Sequence, residues 1–330
     1  DTNEEGFMTQ YIIRRLLVAL PVMFAVILVT FVLVQVMPGG PFDTVGEKAM
    51  PEHMRRIMER RYGLDKPLYE QFWLYFTSLL KGDLGPMLNL RSQTVNDVVA
   101  ETFPVSAQLG MMAVIVGFSI GIPAGIIAAL GRNTIVDYSA TFVAVAGVSI
   151  PSMVLGPVLI LVFGVALDWF PIAFWGSEPP FILGFLPKPN ATFWHHAVLP
   201  VLTLGSGSAA GIARLTRASL LEVLGEDYIR TARSKGLREQ VVIIGHALKN
   251  SLIPVATVLG PMLAGYLTGT LIVETIFAIN GMGRRFISSV SDREYFLLTS
   301  LTLIYSVMLI MGNIFVDIMY AWLDPRIRFD

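Results

Sequence analysis

The residue types that carry out chemistry are sparse in this chain, and their spacing assembles no reacting constellation. There is no cysteine, which excludes disulfides, thiolate metal sites, iron–sulfur clusters and cysteine nucleophiles. Of the four histidines only His195 and His196 are close in sequence. Adjacent side chains on a 3.6-period helix point about 100° apart, so the pair is a poor chelate and reads as an interfacial anchor. No Ser/His/Asp, paired-carboxylate or metal-ligating set emerges, so the expectation is no catalytic residue and no metal. No glycine is followed by lysine anywhere, so the phosphate loop Gly-x-x-x-x-Gly-Lys-Ser/Thr is missing. The chain cannot hydrolyse ATP alone in the P-loop manner.

One segment is built for mechanics instead. It reads Glu226-Asp227-Tyr228-Ile229-Arg230-Thr231-Ala232-Arg233-Ser234-Lys235-Gly236-Leu237 and continues through His246 and Asn250 to Pro254. Glu226 and Asp227 stand where a helix N-terminus favours negative charge. Arg233 and Lys235 fall in the last turn, and Gly236 is placed just past the end. The pattern predicts a short, well-terminated helix, a sharp turn and a second helix leading away. Such a knob is a mechanical handle; a solvated connecting loop is the plainer alternative.

The elements that must hold this knob are defined by missing charge. Only 15% of the 330 residues are charged, against about 25% in soluble domains. Six uncharged stretches stand apart, 16–42, 102–131, 138–167, 189–213, 250–273 and 295–316, each of at least 22 residues. Roughly 20 apolar residues of helix cross a hydrocarbon core of about 30 Å. Runs this long without period-2 alternation mean helices rather than barrel strands. The expectation is an all-α membrane protein with six transmembrane helices.

Lys and Arg gather in short cytoplasmic loops. With the N-terminus inside, twelve lie in the short inner segments and four in the short outer ones. That asymmetry places both termini in the cytoplasm, and the net charge of −1 excludes a broadly basic nucleic-acid binder. The first run lacks a small-residue cleavage site and reads as a span rather than a cleaved signal peptide.

The chain divides into residues 1–7, an upstream extension; 8–37, the first span; and 38–100, an external segment. A five-helix core over 101–325 follows, containing the cytoplasmic segment 214–249, and then a tail over 326–330. Within the external segment, Pro51 opens a helix that Gly63 closes. Leu68 to Leu80 predicts a second helix whose Phe72, Tyr75, Phe76, Leu79 and Leu80 share a face, with Trp73 close by. It is either a membrane-surface helix or a cap packed on the bundle. Residues 168–188, rich in Trp, Phe, Pro and Gly, predict an ordered interfacial loop.

Glu274 and Asp317 lie just beyond uncharged runs, where snorkelling or a structural ion pair is expected. Gly205, Ser206, Gly207 and Ser208 in the fourth span suit close helix packing, with a role in a substrate route as the second reading. Gln35, Gln108, Ser206, Ser208 and Asn313 are the candidates for lining a translocation path.

The cytoplasmic segment resembles the "EAA" signature of membrane subunits of ATP-binding-cassette importers, in the Arg-Thr-Ala-Arg-x-Lys-Gly form of the peptide-importer branch. Arg230-Thr231-Ala232 stand where the general pattern has Glu-Ala-Ala, with the glycine at Gly236. Ser251-Leu252-Ile253-Pro254 loosely matches the element that follows. Further stretches of the same branch are Arg14-Arg15, Pro38-Gly39-Gly40-Pro41, Tyr62-Gly63-Leu64-Asp65-Lys66-Pro67 and Gly82-Asp83-Leu84-Gly85. Thr102-Phe103-Pro104-Val105-Ser106, Glu274-Thr275-Ile276-Phe277, Gly281-Met282-Gly283 and Asp324-Pro325-Arg326 complete the series. In order and spacing they are similar to the first of the two permease subunits of oligopeptide importers, from Met8 to near the end.

The resemblance implies a type I importer permease bundle in the inner or cytoplasmic membrane. It implies a homologous second permease, two cytoplasmic ATPases carrying ATP and magnesium, and an extracytoplasmic peptide-binding protein as partners, with no cofactor on this chain. It also implies that residues 226–236 form a coupling helix fitting a groove in the ATPase. Tyr228, Thr231, Ala232 and Gly236 would then be contact and hinge positions, and Arg230, Arg233 and Lys235 a flanking basic face, with Glu226 and Asp227 at its start. Related importers carry dipeptides, nickel chelates or cell-wall peptides. A self-sufficient ion-coupled transporter or channel is the alternative from another class.

Overall fold

The computed structural model describes residues 2–36, 52–88 and 93–323, with side chains described for 13–36, 52–88 and 93–318. Pro38-Gly39-Gly40-Pro41 and Asp324-Pro325-Arg326 lie outside the described residues. Each of the six charge-free runs carries helix over its described residues. Five, in α1 (Thr2–Val36), α4 (Val95–Leu130), α7 (Ala191–Val223), α11 (Ile253–Leu267) continued by α12 (Leu271–Ile276), and α14 (Tyr295–Leu323), are long and apolar enough to cross a membrane.

The third run departs from the single helix expected over 138–167. It forms α5 (Ile135–Ser149) and α6 (Ser152–Leu159), the latter continuing as a π-helical segment to Ala166, and the two limbs are bent by 100°. Pro151 is the cause. Its ring lacks a donor and drives the preceding residue out of the helical region, and Ile150 is extended at φ −88°, ψ 112°.

The centre of the bundle is the α4–α7 pair, which packs through small residues. A Cβ on Gly121 would lie 2.7 Å from the Ala209 carbonyl oxygen, and one on Gly125 2.5 Å from that of Ala213. Small residues four apart let the two backbones approach where no hydrophobic drive separates protein from lipid. Gly260 and Gly312 do the same between α11 and α14, at 2.6 Å. Thr94 and Asp97 head α4 with a reciprocal capping box.

Between the first two spans, α2 (Glu52–Tyr62) ends at Gly63, whose φ of +69° only glycine adopts cheaply. The second helix, α3 (Leu68–Leu80), has the expected bounds. One face packs on the bundle: Phe72 and Tyr75 are buried, and Phe24 of α1 meets Phe72 and Phe76 edge-on at 5.7 and 5.4 Å. The Tyr75 hydroxyl lies 3.0 Å from Ser300 Oγ of α14, and burial pushes its phenol up to about 12. Tyr69 and Trp73 stay exposed on the other face.

The aromatic loop 168–188 is ordered by one amide. Gln108 of α4 donates from Nε2 to the Phe185 carbonyl and accepts at Oε1 from Trp175 Nε1, both at 2.7 Å. The short α8 (Asp227–Ser234) and α9 (Glu239–Val241) precede a π-helical stretch Val242–Ala247 and α10 (Leu248–Ser251), which leads into α11. Between α12 and α14 lies the amphipathic α13 (Met282–Ser291).

Candidate functional site

The knob over residues 226–236 forms as its sequence dictates. Glu226, extended at φ −70°, ψ 149°, begins α8, and Gly236 ends it at φ +75° with its N–H donating to the Arg233 carbonyl at 2.9 Å. A left-handed residue just past the last turn is the usual helix stop. Two residues one turn apart face inward: Ile229 is fully buried and Ala232 is 8% exposed. They pack on Ala129 at the end of α4, Leu220 at the end of α7, and Val242 and Ala247 on the returning strand of chain.

The opposite side is bare. Asp227, Tyr228, Arg230, Thr231, Ser234 and Lys235 are exposed. Arg230 pairs with Asp227 at 3.0 Å, both solvated, a contact of little energetic weight. The Tyr228 hydroxyl accepts from Asn250 Nδ2 at 2.8 Å, bracing the far side of the knob. Arg233 is exposed as well and has a partner within the chain. Its guanidinium forks onto Glu239, with Nη2 at 2.7 Å and Nε at 3.2 Å, and so fastens the turn after Gly236. That hydrogen bonding holds the Glu239 carboxyl below its ordinary range and raises Arg233.

Ala232, implied as a contact position, faces the chain's own core because it lies one turn from Ile229 on the buried face. Arg233 is exposed and pairs with Glu239 within the chain.

The path candidates also divide. Gln35 meets Gln71 of α3 at 3.2 Å at a cavity that both line, and Gln108 spends its amide on the 168–188 loop. Ser208 is buried and shares a 2.6 Å hydrogen bond with Tyr266 of α11, while Gly205 abuts Val116 and Ala113 of α4. Ser206 and Asn313 are half-buried, and beside Ser206 a Cβ on Gly207 would meet nothing within 4 Å.

The histidines stand apart: His195 edges onto Phe170, and His196 Nδ1 is 2.8 Å from the Thr192 carbonyl. Among the described residues no three His, Asp or Glu side chains converge on a metal-sized space.

Glu274 is neither snorkelling nor ion-paired. It is fully buried, and its carboxylate accepts from Ser106 Oγ (2.8 Å) and from the backbone N–H groups of Thr270 and Arg284 (3.0 Å each). Ser106 Oγ accepts in turn from Met282 N at 2.8 Å, so the two side chains cap α13 together. Asp317 does form the expected ion pair, with Arg15 at 3.1 Å.

A further pair escaped the sequence reading: Asp137, at the start of α5, takes Arg217 of α7 in a fork of 2.5 and 2.7 Å. Its signal was two opposite charges at the edges of adjacent runs. With this tie and the apolar packing of the knob beneath it, this end of the bundle is suited to transmit force, since α4, α5, α7 and α8 are fastened to one another.

The family described as "Binding-protein-dependent transport system inner membrane component" matches residues 121–329, and its N-terminal companion matches residues 8–109. The oligopeptide transport system permease protein OppB of Haemophilus influenzae is 40% identical over 322 residues, covering 98% of this chain and 100% of that one. The dipeptide transport system permease protein DppB of Bacillus subtilis is 42% identical over 321 residues, covering 97% and 98%. Among solved structures, the inward-facing MetNI methionine ABC transporter aligns with a TM-score of 0.51 at 14% identity, over 68% of this chain and 94% of that one. That likeness concerns the fold.

Proposed function

The chain belongs to the binding-protein-dependent transport system inner membrane components, and from that membership we propose that it is the permease subunit of an ATP-driven importer of short peptides. Its near full-length similarity to oligopeptide and dipeptide permeases carries the reading. A second, homologous permease, two cytoplasmic ATPases holding ATP and magnesium, and an external peptide-binding protein complete the machine. Both termini and the segment 214–249 face the cytoplasm, in keeping with the Lys and Arg distribution.

In this mechanism the exposed side of α8 seats in a groove of the ATPase, with Asp227, Tyr228, Arg230, Thr231 and Lys235 as contacts and Gly236 as the hinge. Ile229 and Ala232 pass the displacement to the inner ends of α4 and α7. A rigid-body step of packed helices then switches the paired bundles between outward- and inward-facing states. Gln35, Ser206 and Asn313 remain the path candidates.

Reconstitution of the four-subunit complex in proteoliposomes, with its binding protein, tests the reading. Import of a labelled oligopeptide that stops when ATP is withheld is the expected result. Accumulation by this chain alone, in vesicles without ATP, would establish the ion-coupled alternative instead.

A further inference from the structure

Among the described residues, three charged side chains at one end of the bundle have no partner of opposite sign. Glu101 in the second turn of α4, and Glu178 and Lys188 in the 168–190 region, line a single open cavity of about 860 Å³. None of the three forms an ion pair among the described residues, although both signs are present. Small-molecule sites occupy about 300–1,000 Å³ and use a few convergent polar groups above an apolar base. Trp175 supplies an aromatic wall and is itself immobilised through Gln108, while Asn280 brings a carboxamide from the turn before α13.

Unpaired charges of both signs around one concavity match a ligand that carries both signs. We propose that this bowl receives a short zwitterionic peptide by its termini, Lys188 facing the carboxylate and Glu101 and Glu178 the ammonium. The assignment rests on the peptide-import reading above and adds a binding site in the permease itself. Charge-assisted hydrogen bonds at the two ends would orient the chain, and Asn280 offers a donor and an acceptor to a peptide group between them. Side chains of the cargo would remain unread, which suits a gate that must pass many sequences.

The test uses the complex of permeases and ATPases in nanodiscs without binding protein, titrated calorimetrically with trialanine, N-acetyl-trialanine and trialanine amide. Saturable binding of trialanine is expected. Lys188→Met should weaken trialanine at least tenfold and leave trialanine amide within twofold of wild type. Glu101→Gln combined with Glu178→Gln should do the same for trialanine while sparing the N-acetylated peptide. Equal losses for all three peptides, or no loss, would overturn the proposal. So would variants that bind trialanine normally but lose stimulation of ATP hydrolysis by the binding protein, since the bowl would then be a protein-docking surface. Import by the intact system combined with no saturable binding here removes the site and leaves the importer standing.

Discussion

Glu274 illustrates what a buried carboxylate requires when no cation is near. Its oxygens are filled by one hydroxyl and two backbone N–H groups, and glycines make room for it. A Cβ on Gly281 would lie 2.5 Å from the carboxyl and from Ser106 Oγ. Overpacking a filled site costs about 1–3 kcal/mol. Gly281→Ala should therefore lower the thermal midpoint of the purified complex measurably, whereas Gly207→Ala, where a Cβ meets nothing, should leave it unchanged. Ser106→Ala removes a donor from the buried carboxylate and should destabilise by about 1–3 kcal/mol, read by the same unfolding assay. Sequence gave little access to this cluster. Ser106 lies 168 residues from Glu274, and the remaining partners are backbone groups, which no residue identity reveals.

At the scale of elements, α8 and its turn carry two predictions. A β-branched residue is disfavoured at positive φ, while asparagine tolerates it. Gly236, at φ +75° with open space around its Cα, should accept Asn with coupling retained. Gly236→Val should leave membrane insertion intact and uncouple ATP hydrolysis from import, measured as peptide moved per ATP in proteoliposomes. Wild-type transport by the valine variant would remove the hinge role.

The Arg233–Glu239 fork predicts a pH dependence. The folded carboxyl of Glu239 titrates below its unfolded value because Arg233 hydrogen-bonds to it. Its contribution is therefore present above the unfolded value and lost as pH falls through the folded one. The difference in thermal midpoint between wild type and Glu239→Gln should persist at neutral pH and vanish in acid. The bounds of α8 were legible because its caps are local: a carboxylate at one end and a glycine at the other. The inward turn of Ala232 was not, since it depends on where α4 and α7 end.

For the whole molecule, the absence of native cysteine makes topology directly measurable. Single cysteines at Leu183 and Lys235, both exposed, should react oppositely with a membrane-impermeant maleimide on intact cells. The first should label at once and the second only after permeabilisation. The spans themselves were readable because lipid removes charge from everything it touches. The 100° bend was not read from the run 138–167, because counting charges is blind to Pro151. Likewise the runs gave no measure of how closely α4 and α7 approach, which rests on glycines at every fourth position.

The two-sided construction of α8 has an implication for exchange of parts. Positions 229 and 232 answer to the chain's own interior, and the intervening residues answer to whatever lies beyond. On the coupling proposed above, grafting another importer's residues at 230 and 231 would re-address this permease to a foreign engine without disturbing the socket that supports the plug. Lineages could thus trade power units by rewriting a handful of letters, keeping the gate above them whole.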